Sequence, residues 1–143
     1  SFEKIKQVVD VRKGEIMFGL NMIVHKGKTI FIADTSVHEY PTSEQMAEIE
    51  TLDFVSKYVG PNQSPMCGNT VSHDRRFLAK YMPRLESYFN YRHIDVSSFK
   101  EAAVRWMNEA QVYEKEGSHR AMGDIKESVA ELKFYKNLFL PEG

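Results

Sequence analysis

The stretch IMFGLNMIV-HKGK-TIFIADTSV, residues 16–37, holds two apolar, β-branched arms separated by His25, Lys26, Gly27 and Lys28. Arms of this kind around a short polar, glycine-containing link predict an antiparallel hairpin with strands over 16–24 and 29–37. Upstream, Val8-Val9-Asp10-Val11 predicts a short first strand. Downstream of Thr42 the period changes. Met46, Ile49, Leu52, Val55 and Val59 recur at helical spacing, Thr42 with Gln45 matches a capping box, and Gly60-Pro61 is a stop. Ser64 to Asn69 then predicts a short buried strand, and a helix follows from about Asp74 to Met82, where Pro83 interrupts it. His93 to Val96 predicts another short strand, feeding a helix through Phe99, Ala103 and Trp106 with Ser97 or Ser98 as its cap. A last helix over about 121–139 turns Met122, Ile125, Val129 and Leu132 inward. Strands first and β-α-β-α afterwards predict an α/β fold: a sheet of mixed strand direction flanked by helices.

The 143 residues, 42% of them hydrophobic, suffice for one core. A net charge of −1 argues against a broad electrostatic grip on long duplex nucleic acid, while leaving room for a small anionic substrate in a local site. A single cysteine, Cys67, precludes an intramolecular disulfide and favours a reducing compartment. No apolar run approaches the ~20 residues that cross a bilayer, and the first residues lack the pattern of a secretion signal. The expectation is a cytoplasmic protein with no membrane partner.

Two clusters hold candidate chemistry. Asp74 follows a buried strand at the start of a helix, the junction at which open α/β sheets bind ligands. Alone, it reads equally as a helix cap worth about 1 kcal/mol. In the second cluster His119 and Asp124 stand five apart, about 140° around a continuous helix. They share a site only if His119 lies on the loop before the helix, which Gly117-Ser118 permits.

Taken together, Tyr81-Met82-Pro83, then Tyr91-Arg92-His93-Ile94-Asp95-Val96-Ser97, Lys100-Glu101, Arg105-Trp106 and the run Ser118 to Ser128 closely resemble the C-terminal two-thirds of oligoribonucleases. These are 3′-to-5′ exonucleases of the DEDD type, with a ribonuclease H-like fold, and the resemblance runs from about Thr51 to Leu140. It implies hydrolysis of short single-stranded oligoribonucleotides to nucleoside 5′-monophosphates by a two-metal mechanism using Mg²⁺ or Mn²⁺. By the same resemblance Asp74 and Asp124 are metal-binding acids and His119 is the general base, a role suited to an imidazole that accepts a proton near neutrality. Arg92 and Ser97 resemble residues that close on the terminal phosphate, and Tyr91 an aromatic contributed across a homodimer interface.

The chain also departs from that pattern. The family's first motif is Asp-x-Glu on the first strand, whose two-residue repeat aims both carboxylates at one face. The candidate here is Asp10-Val11-Arg12, with Asp10 as a metal ligand and an arginine in the glutamate's place. Gly123 replaces an acid beside Asp124, and the chain passes from Val37-His38-Glu39-Tyr40 into Pro41-Thr42 where relatives carry a further helical segment. The expected organisation is thus a single exonuclease-like domain over 1–143 lacking the first catalytic motif and one helical segment. A homologue that binds short nucleotides without cleaving them is the alternative; a purely structural homodimer is a third.

Overall fold

The structure, a computed structural model, describes the backbone of residues 4–13, 16–25, 28–37, 44–107, 113 and 121–141, and side chains within 45–107, 113 and 123–141. Three ten-residue strands come first: β1 (Lys4–Lys13), β2 (Ile16–His25) and β3 (Lys28–Val37). They form an antiparallel meander, with Ile16 opposite Val37 and His25 opposite Lys28 across the hairpin and a register shift between Ile5 and Gln7 in β1. The hairpin is as expected. β1 is much longer than the four-residue run around Asp10 predicts, because pairing with β2 continues through its polar residues from Lys4 to Lys13.

Next come α1 (Glu44–Ser56), β4 (Met66–Gly68), α2 (Val71–Tyr81), α3 (Pro83–Tyr88), β5 (His93–Asp95), α4 (Val96–Trp106) and α5 (Ala121–Phe139). β4 runs parallel to β3 and β5 parallel to β4, giving one mixed sheet in the order β1-β2-β3-β4-β5. The α/β class and the mixed strand direction match the sequence expectation. The break between α2 and α3 falls at Pro83, which opens α3 where its missing N–H costs nothing.

Consecutive residues of β4 feed two separate cores, as the alternation of a strand requires. Met66 packs with Val55, Val71, Leu78, Met82, Leu85 and Phe89 beneath α1, α2 and α3. Cys67 packs with Val96, Ala103, Ile125, Val129, Leu132 and Tyr135 beneath α4 and α5. Burial on both faces explains why so short a strand is apolar throughout.

The inward face of α1 differs from the periodic one. Met46 and Ile49 are 49% and 54% exposed, while Ala47, Glu48, Thr51 and Val55 are buried. The cause lies 36 residues away: Glu48 Oε2 accepts from the backbone N–H of Arg84 (2.9 Å) and of Leu85 (3.1 Å). Those are orphan donors of the first turn of α3, and satisfying them offsets the burial of the carboxylate. Thr51 completes the polar face by donating to Ala47 O at 2.7 Å. The proposed Thr42 cap lies outside the described residues.

Candidate active site

The C-terminal ends of the parallel strands β4 and β5 lead into the N-termini of α2 and α4. Here the helix starts are built differently from the sequence expectation. α2 begins at Val71, three residues earlier than predicted, so Asp74 is not its cap; that place belongs to Thr70, held at φ 56° with no side-chain cap bond of its own. Asp74 instead lies in the first turn, 6% exposed and bonded within the fold. Likewise α4 is capped by Asp95 rather than by Ser97 or Ser98, since β5 runs into the helix without a loop and its last residue already carries a carboxylate.

One carboxylate serves two helices. Asp95 Oδ1 accepts from the N–H of Thr70 at 2.9 Å and of Ser97 at 3.0 Å, and Oδ2 accepts from Val71 N–H at 3.1 Å. Ser97 Oγ also accepts from Thr70 N–H and donates to Asn69 Oδ1, each at 3.0 Å. Asn69 Nδ2 donates in turn to Ser128 Oγ (2.8 Å) and Glu131 Oε2 (3.1 Å) on α5. Because Asp124, Ser128 and Glu131 follow the i, i+4, i+7 spacing of one helix face, these bonds bring the Asp124 face of α5 to the end of β4. Asp74 stands in the first turn of α2, which follows β4, and Asp124 in the first turn of α5, one helical turn before Ser128. The sequence offered no local sign of Asn69 or Asp95 as the connecting residues; apart from Ser97 beside Asp95, their partners lie 24 to 62 positions away.

Arg92 and Tyr91 are exposed, Tyr91 to 73%, with the Arg92 guanidinium 5.2 Å from the Tyr91 ring centre. They precede β5 whereas Ser97 follows it, so the two expected phosphate-closing residues stand at opposite ends of that strand. Ser97 has its only hydroxyl proton directed at Asn69, and donating to a phosphate requires giving up that bond. Burial pushes the Cys67 thiol up to about 12, with the Asp95 charge adding to the effect, so Cys67 is an inert core residue. His119 lies outside the described residues.

Asp10 is on β1, at the edge of the sheet and three strand spacings, about 14 Å, from β4. The strand beside β4 is β3, and Asp34 lies two positions past Ile32, which pairs with Cys67. Asp10 and Asp34 occupy one cross-strand row, on either side of Gly19. On the backbone, Asp34 therefore lies on the strand next to β4 and Asp10 two strands farther out. As donors, carboxylate oxygens match a hard divalent cation in kind. Among the described residues no group of three or more His, Cys, Asp or Glu is placed to hold a metal ion. Among those residues, too, no helix is long and apolar enough to cross a membrane.

Comparison with known proteins agrees with this topology. The sequence profile of the exonuclease family RNase_T matches residues 28–132, from the start of β3 into α5. The match leaves Asp10-Val11-Arg12 outside it. The chain is 51% identical over 105 residues to an oligoribonuclease of Ruthia magnifica, covering 73% of this chain and 58% of that protein. It is 53% identical over 98 residues to the oligoribonuclease of Pectobacterium atrosepticum (68% and 54% covered) and 52% over 99 residues to that of Klebsiella pneumoniae (68% and 55%). The chain thus spans a little over half the length of these relatives. Their likeness bears out the resemblance to oligoribonucleases, and the family bears out the ribonuclease H-like α/β fold. On the profile match over most of its length, the chain belongs to the RNase_T exonuclease family.

Proposed function

We propose that this protein is a metal-dependent 3′-to-5′ exoribonuclease acting on short single-stranded oligoribonucleotides and releasing nucleoside 5′-monophosphates. The observation that carries the reading is Asn69, between β4 and the helix that bears the buried Asp74, bonded to Ser128 and Glu131 on the helix that bears Asp124. Asp74 and Asp124 hold the divalent cations, with a third carboxylate from the sheet, where Asp34 is better placed than Asp10. A pair of Mg²⁺ or Mn²⁺ ions bound there would neutralise charge on the scissile phosphodiester and lower the pKa of the attacking water. His119, five residues before Asp124, takes the proton from that water. Arg92 receives the terminal phosphate of the substrate with paired N–H donors, supported by its stacking on Tyr91. The exposed Tyr91 lies at the contact of a homodimer, and the single buried thiol suits a cytoplasmic setting.

His119→Ala is expected to lower the rate of mononucleotide release about 10²–10⁴-fold with dinucleotide affinity nearly unchanged. Asp124→Asn is expected to reduce cleavage further. An unaltered rate in both variants would remove this assignment of roles. A second reading is binding of short nucleotides without cleavage. It predicts affinity for a dinucleotide that does not depend on added metal.

A further inference from the structure

We propose that Asn69 is a positioning residue that sets the spacing between Asp74 and Asp124 by clamping the first half of α5 onto the β4–α2 junction. Its side chain offers one acceptor and two donors, and each has a partner: Ser97 Oγ on α4, and Ser128 Oγ and Glu131 Oε2 on α5. Asn69 lies between β4 and α2, five residues before Asp74. Ser128 is one turn beyond Asp124, so a bond to Ser128 fixes the height and rotation at which Asp124 is presented. The apolar contacts of α5, through Ile125, Val129, Leu132 and Tyr135, supply attraction without direction. The directional bonds from Asn69 select one register among those the core tolerates.

The amide is required as an amide. An aspartate of the same shape would have no donor for Glu131, which is 2% exposed, and would place a second carboxylate against it. Exchanging the two groups restores the pattern, since a glutamine at 131 can donate to an aspartate at 69 while the Ser97 and Ser128 hydroxyls donate to the latter. The catalytic consequence rests on the exonuclease reading; the clamp itself does not.

The test is amide hydrogen exchange of the full chain without added metal, followed by steady-state cleavage of a two-residue RNA with Mn²⁺. Asn69→Ala is expected to raise exchange across residues 121–128 about tenfold, the size of one to two net hydrogen bonds, and to leave the core of α2 unchanged. Ser128→Ala, which removes one bond and little volume, should raise the same segment about threefold. Asn69→Asp should match or exceed Asn69→Ala, and Asn69→Asp with Glu131→Gln should recover most of the protection. In cleavage, Asn69→Ala should lower kcat about tenfold or more with KM within about twofold, and the double variant should restore kcat. Unchanged or uniformly raised exchange in Asn69→Ala and Ser128→Ala would overturn the clamp. Failure of the unmutated protein to release mononucleotide would overturn the exonuclease reading instead, with the exchange result still deciding the clamp.

Discussion

Replacing Asp95 by alanine removes acceptors from the starts of two helices at once. In the folded protein its carboxylate receives the N–H groups of Thr70, Val71 and Ser97. Loss of a helix cap costs about 0.5–2 kcal/mol, and here α4 loses its cap while α2 loses the only side-chain acceptor seen at its first residue. The three donors are not equivalent. Thr70 is exposed, so water can replace the carboxylate there, whereas Val71 is 1% exposed and its N–H is left short of an acceptor, a deficit of about 1–3 kcal/mol. The sum is about 2–4 kcal/mol, a large share of the ~5–15 kcal/mol that holds a domain folded. Asp95→Asn keeps one oxygen for Thr70 and Ser97 and opposes an amide to Val71 N–H, so its cost should fall between zero and that of alanine. Urea denaturation followed by far-UV circular dichroism measures both, and at a mid-range slope of ~2 kcal/mol per molar urea the alanine midpoint falls by about 1–2 M. A change below about 0.5 kcal/mol for alanine, or a larger loss for asparagine than for alanine, would refute the double-cap account.

The other predictions concern Arg75 and Cys67. The Arg75 guanidinium donates to Glu86 Oε1 (3.0 Å), Asn90 O (2.7 Å), Glu86 O and Phe89 O (both 3.3 Å), sewing α2 to the end of α3. Arg75→Ala should therefore cost about 2–4 kcal/mol in the same denaturation assay, with Arg75→Lys recovering only a minor part because an ammonium lacks the planar fork. Cys67 titrates near 9.0 in an unfolded chain and near 12 in the fold, owing first to burial. The folded state holds its proton longer, so this contribution to stability is intact below pH 9 and is lost as pH rises towards 12, at about 1.4 kcal/mol per pH unit. Cys67→Ala should flatten that slope in melts between pH 8.5 and 10; an identical slope in the variant would exclude it.

The sequence carried the local part of the fold. The bounds of α5, the hairpin of β2 and β3, and the break at Pro83 all follow from periodicity and proline chemistry within a few neighbouring residues. What it concealed depends on distant partners. Glu48 turns inward because the start of α3 offers two N–H groups, and that leaves Met46 and Ile49 outside. Asp95, not a serine, caps α4 because the same carboxylate is needed by α2. The strand-helix junction that holds Asp74 was legible, since α2 follows β4 there. The strand order was not, because adjacency is set by pairing at a distance: β3 rather than β1 lies beside β4. Ser97 shows the same limit in its chemistry, since its hydroxyl proton is already directed at Asn69.

The most direct measurement uses the unmutated protein with a two-residue RNA bearing a 5′-phosphate, assayed for nucleoside 5′-monophosphate with Mn²⁺ present and with it removed by chelation. The exonuclease account predicts mononucleotide release in the presence of Mn²⁺ and none after chelation. No release under either condition would contradict it, and retention of the dinucleotide in that case would favour a nucleotide-binding role.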